Sequence, residues 1–171
     1  LIILSNKINQ LREQYFKEFL EILDPKIKST FPNLPIKINY YKGWSADLTF
    51  EEALNKSFES DIKLGYTKPG VNRADIKISI YGQNATQILS QGQQKTLASL
   101  IFLTQATLFN KCQKNPCIIL LDDLNSELDN KNLQELLEQF IKQNHQIILT
   151  AISEDLPIIK LLENLDNNNS K

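Results

Sequence analysis

An α/β fold built on a parallel sheet is predicted by three features of this chain. Residues 117–152 read as strand, helix, strand from their apolar pattern. A long apolar helix precedes that unit, opened by a polar loop that carries a glycine. The composition is 42% hydrophobic and 23% charged over 171 residues, which supports one domain, or one domain plus a small subdomain, with a core.

The elements follow in order. Ile8, Leu11, Tyr15, Phe16, Phe19, Leu20 and Leu23 keep helical spacing, and Asp24-Pro25 is expected to end that helix. Pro32 and Pro35 mark a loop, and Ile36-Lys37-Ile38-Asn39-Tyr40 alternates as a strand. Trp44 reads as a core anchor. Thr49 and Glu52 form a capping box at a helix start. The texture changes at Gly65. Ile76–Ile80 alternates as a second strand, followed by a turn at Gly82-Gln83-Asn84. A helix is expected from about Gly92 to Phe109, and Cys117–Leu121 is a short apolar strand. Leu133, Leu136, Leu137, Phe140 and Ile141 line one helical face, and Gln146–Ile152 is a further apolar run. These elements divide into a mainly helical subdomain at 1–62, an α/β lobe at 63–163 and a disordered Asn-rich tail at 164–171. No internal repeat is present.

Composition excludes several classes. No apolar run approaches the roughly 18 residues of a membrane helix, and Leu1–Leu4 is too short for a signal core. The expectation is therefore a protein without a membrane partner. A start at Leu1 reads as a piece of something longer. Cys112 and Cys117 are the only cysteines and His145 the only histidine, a poor metal pattern that reads as two free thiols. Net charge is −1, without the basic excess of a self-sufficient duplex binder. Any basic surface must be local or lie outside this chain.

Three constellations carry chemistry. Ile118-Ile119-Leu120-Leu121-Asp122-Asp123 would deliver two carboxylates at the C-terminal end of a buried strand, where α/β sheets bind ligands. An aspartate so placed can hold Mg²⁺, and a second acid can act on a water. Leu89-Ser90-Gln91-Gly92-Gln93-Gln94-Lys95 offers a hydroxyl, a glycine and a helix N-terminus to a phosphate, although a plain helix cap would look the same. Ser126-Glu127-Leu128-Asp129 follows the acid pair and suits an N-cap. Gly65 and Gly70 have the glycine spacing of a P-loop, but Val71 and Asn72 stand where its Lys and Ser/Thr belong.

In order and spacing these motifs resemble the second lobe of an ABC-type P-loop ATPase, and in detail the RecF family. Ser90–Lys95 is similar to the family's Ser-x-Gly-Gln-Gln plus basic residue. Asp122-Asp123 and Ser126–Asp129 resemble its Walker B and D-loop. Gly65–Asp75 resembles its Gly-x-Thr-x-x-Gly-Pro-His-Arg-x-Asp segment, with Val71-Asn72 replacing Pro-His, and Tyr41–Trp44 its aromatic-Gly-Trp segment. The likeness runs from about Tyr15 to Ile152.

The resemblance implies the following. The fold is the C-terminal lobe of an ABC-type ATPase behind a helical arm. Asp122 is a Mg²⁺ ligand and Asp123 the catalytic acid. Ser90, Gln91, Gly92 and Gln93 contact ATP held by another subunit, Ser126 and Asp129 belong to the D-loop, and Thr150 stands at the switch position. Arg73 and Asp75 belong to a family motif without an assigned role. ATP and Mg²⁺ are the cofactors of the intact protein, a weak ATPase whose P-loop would lie on an N-terminal segment absent here. The fragment alone would be inactive. Implied partners are gapped or double-stranded DNA, RecR and RecO, and a second copy in an ATP-dependent homodimer. The implied setting is the cytoplasm and nucleoid, in DNA replication, recombination and repair with the SOS response. Alternatives are another SMC-like DNA-repair ATPase, a non-catalytic DNA or protein interaction module, and a transporter ATPase subunit. The absence of heptads in 1–62 disfavours the first, the retained acid pair the second, and the Ser-Glu-Leu-Asp turn the third.

Overall fold

The structure is a computed structural model and describes residues 1–112, 117–122 and 146–150. Two compact units are present, Leu1–Ile88 and Leu89–Lys171.

The first unit opens with helix α1, Ile2–Thr30. It runs through Pro25, where the sequence predicts a stop. A proline inside a helix forfeits one backbone hydrogen bond and crowds the preceding turn. Burial offsets that cost, because Phe19, Leu23, Ile27 and Phe31 flank Pro25 and are all buried. Beside it, burial without a partner pushes the Lys26 amine below the ordinary lysine range. The apolar stripe is buried only in this second half. Ile8, Leu11 and Tyr15, expected on the same face, are exposed.

Strand β1, Ile36–Tyr41, pairs antiparallel with β2, Asp75–Ile80, from Ile36↔Ile80 to Tyr41↔Asp75. Phe16 of α1 packs on Tyr40 of β1 at 5.8 Å between ring centroids, and the Tyr40 hydroxyl donates to Asn9 Oδ1 at 3.1 Å. Tyr81 and Gly82, both at positive φ, turn the chain into the short strand β3, Gln83–Asn84. Two such residues suit a tight hairpin. Asn84 Oδ1 then accepts from the Thr86 N–H and starts α3, Ala85–Ile88. The β1–β2 ladder joins residues on both sides of position 62, so this unit carries its own antiparallel sheet and continues to residue 88.

Helix α2, Phe50–Leu64, begins with the expected capping box. The Glu52 N–H donates to Thr49 Oγ1 at 3.2 Å, and the Thr49 N–H donates to Glu52 Oε2 at 2.8 Å. It ends at Gly65, whose φ of +74° supplies a left-handed C-cap. Trp44 is buried with Phe50 and Ala53, its ring 4.7 Å from that of Phe50, as a core anchor should be.

In the second unit, helix α4 spans Gln91–Cys112. Leu97, Leu100, Leu103 and Leu108 are buried along it with Thr96 and Thr104, whose hydroxyls donate to the Gly92 and Leu100 carbonyls. Strands β4, Ile118–Leu121, and β5, Gln146–Leu149, pair in parallel with Leu120 opposite Ile148. On this pair Ile118, Leu120 and Ile148 are 58%, 74% and 47% exposed. The expected helix around Leu133–Ile141 and the tail at 164–171 lie outside the described residues.

Candidate functional site

Parallel pairing brings the C-terminal ends of β4 and β5 side by side. Asp122 follows β4 and Thr150 follows β5. The Thr150 hydroxyl donates to Asp122 Oδ1. Both residues are exposed, so a carboxylate and a hydroxyl face solvent together at a strand end. Hard oxygen donors of this kind suit Mg²⁺, which keeps several of its waters and takes one or two carboxylates from a protein. The donor set therefore fits the implied ion.

Ser90, Gln91, Gly92 and Gln93 sit at the start of α4. The Gln93 N–H donates to Ser90 Oγ at 3.3 Å, and the Ser90 N–H donates to Gln93 Oε1 at 2.9 Å. This is a second capping box, with glutamine in the third position. The Gln94 side chain donates to the Leu89 carbonyl at 2.9 Å and fastens the preceding turn. The loop is thus a cap in this structure, and it presents a helix N-terminus, which favours anions.

Asp123, Ser126 and Asp129 lie outside the described residues, as does His145. Arg73 and Asp75 belong to the other unit. Arg73 is exposed, with its guanidinium 5.7 Å from the Tyr66 ring centroid, and Asp75 opens β2. Sequence reading missed Arg12 of α1, which donates to the Val71 carbonyl at 2.5 Å across 59 residues. Nothing in its local spacing signals that contact. Ser-x-x-Gln is the signal for the cap at α4, and it was legible.

A parallel strand pair presenting an aspartate at its carboxyl end, behind a long helix with a capped glycine-bearing loop, is the fold of an ABC-type ATPase lobe. Proteins of known structure agree. The recombination mediator protein RecF, as RecF-ATP in the RecFOR pathway, matches with a TM-score of 0.66 at 25% identity over 91% of this chain and 46% of that one. RecF-ATPrS gives 0.66 at 23% identity over 89% and 43%. Among curated relatives, the DNA replication and repair protein RecF of Vibrio atlanticus is 35% identical over 89% of this chain, and that of Aliivibrio fischeri is 36% identical over 89%. RecF of Cellvibrio japonicus is 32% identical over 89%. No family model matches. The chain belongs to the RecF family. It spans 42% of the length of these relatives.

Proposed function

We propose that this chain is the C-terminal, signature-and-Walker-B portion of a RecF-like ATPase of DNA repair and recombination. The observation that carries the reading is the Thr150–Asp122 hydrogen bond at adjoining parallel strand ends. It ties the implied switch residue to the implied metal ligand.

In the proposed half-site, Asp122 holds Mg²⁺ and Thr150 fixes one of its carboxylate oxygens. The ion neutralises phosphate charge when bound. Asp123 orients or deprotonates the attacking water. Ser90–Gln93 closes over ATP whose phosphates are cradled by a P-loop on another subunit, and Ser126 and Asp129 join that interface as the D-loop. ATP therefore drives homodimerisation, and the assembled protein acts on gapped or double-stranded DNA with RecO and RecR to load recombinase. Among the described residues no helix is long and apolar enough to cross a membrane, and the proposed setting is the cytoplasm and nucleoid. This segment alone turns over no ATP, because it has no P-loop lysine.

The test is Asp123→Asn in a protein that joins this chain to a P-loop-bearing half. Phosphate release should fall roughly 10²–10⁴-fold while nucleotide binding persists. Full activity in that variant would remove Asp123 from the chemistry.

A further inference from the structure

Two segments remain unused by the nucleotide reading, Tyr41–Trp44 and Gly65–Asp75. The fold joins them. The Gly70 N–H donates to the Gly43 carbonyl at 3.2 Å, and the residues on either side line one cavity of about 340 Å³. That volume lies at the small end of ligand sites, which run from roughly 300 to 1,000 Å³.

The lining mixes polar and apolar surface, and its charged side chains are both cationic. Trp44 forms part of the wall, 4% exposed, and its indole N–H is buried without an acceptor. The Ser57 and Ser60 hydroxyls are already donated, to Asp61 and to the Ser57 carbonyl, so Ser45 is the lining hydroxyl left to a ligand, and Lys56 and Lys68 add exposed ammonium groups. Neither lysine has an ion-pair partner among the described residues. A third ammonium stands close by. Lys42 Nζ lies 5.3 Å from the Trp44 ring centroid, held by the Ala46 and Leu48 carbonyls at 3.2 and 3.0 Å. The nearby acid Asp61 is engaged. Asp61 accepts from the Ser57 hydroxyl at 2.7 Å and from the Lys68 N–H at 3.2 Å, which fixes both lining residues in place.

We infer that this cavity is a phosphate site, separate from the nucleotide half-site and independent of that reading. Two exposed ammonium groups, with the Ser45 hydroxyl beside them and a third ammonium close by, favour a compact anion with more than one acceptor oxygen. Lysine serves phosphate as a point charge, whereas planar carboxylates are better met by the guanidinium fork, and no arginine lines the cavity. The phosphate is either a unit of a nucleic-acid backbone or a free phosphate.

Trp44 is the only tryptophan, so its emission reports on this cavity alone. The 171-residue chain is titrated with inorganic phosphate and, separately, with oligothymidylate of about 12 nucleotides. A saturable change in emission is expected. Its midpoint should rise roughly tenfold in Lys56→Gln and in Lys68→Gln, the loss of one charge-assisted bond each, and further in the double variant. Lys63→Gln, on α2 outside the lining, makes the same charge change and should shift it less than twofold. Both lining lysines are exposed, so far-UV circular dichroism and Tm should match the parent chain. Saturation by oligothymidylate far below the phosphate concentration assigns a nucleic-acid backbone. Saturation by inorganic phosphate at equal or lower concentration assigns a free phosphate. No saturable change with either ligand overturns the site, as does a double variant that binds no worse than Lys63→Gln.

Discussion

Gly43 and Gly70 meet backbone to backbone. The Gly70 N–H reaches the Gly43 carbonyl at 3.2 Å, and a Cβ built on Gly43 would stand 2.0 Å from the Gly70 carbonyl oxygen. Gly43 also has a φ of +100°, which side-chain-bearing residues avoid. The obstacle is backbone and cannot rotate away. Gly43→Ala should therefore cost roughly 3 kcal/mol or more, from strain and overpacking together. Gly65→Ala is the comparison. Its φ is +74°, but nothing lies within 4 Å of the added carbon, so its cost should be about 1 kcal/mol. Urea unfolding followed by circular dichroism measures both, and equal losses would refute the close-approach argument.

Ser90 carries two roles that substitution can separate. Ser90→Ala removes the acceptor for the Gln93 N–H and should cost about 1 kcal/mol of stability. Ser90→Asp keeps a good N-cap and should fold normally. In a protein joined to its P-loop half, Ser90→Asp should still bind ATP as a monomer but fail to assemble, since its carboxylate would face an incoming phosphate. Ser90→Arg and Gly92→Val should fail likewise. Light scattering with and without ATP reads assembly. Normal assembly of Ser90→Asp would leave the loop as a helix cap only.

Thr150 holds Asp122 through its hydroxyl, so Thr150→Val should free that carboxylate and cost about 1 kcal/mol. In the joined protein the same change should weaken Mg²⁺-dependent nucleotide binding, with Mg²⁺-independent binding unchanged. Thr150→Ser keeps the hydroxyl and should restore the Mg²⁺ dependence. A rescue by serine that fails would mean that Thr150 acts through its methyl group in packing.

Glu52 gives the fold an acid-sensitive contact. The Thr49 backbone N–H, and then the Thr49 hydroxyl, hold the Glu52 carboxyl below the usual range. With the folded value depressed, the unfolded chain binds the proton more readily. The contact therefore contributes fully above the ordinary glutamate value of about 4.3, and is lost as pH falls through the lower folded value. Tm measured from about pH 6 down to pH 3 should drop less steeply in Glu52→Gln than in the parent. Parallel curves would show that the capping box is not a pH-sensitive element.

Local signals are legible in this sequence and distant ones are not. Strands β1 and β2 are legible because Ile36–Tyr40 and Ile76–Ile80 alternate, and a period of two needs no partner to be seen. The Thr49–Glu52 box and the start of α4 are legible because a cap is written within four residues. Pro25 misleads, because its local cost is overruled by Phe19, Leu23 and Ile27, whose burial depends on the rest of the unit. Antiparallel pairing of 36–41 with 75–80 joins residues far apart in the chain, and composition cannot show it. Asp122 and Thr150 could each be singled out in the sequence, but their bond depends on the β4–β5 register.

The wet apolar face of β4 and β5 has a calorimetric signature. Ile118, Leu120 and Ile148 already meet solvent in the folded chain, so they add little to the heat capacity of unfolding, which reports newly hydrated apolar surface. Any surface that covers them should withdraw that hydration on association. Titration calorimetry would then record a negative heat-capacity change, even where the strands themselves do not move.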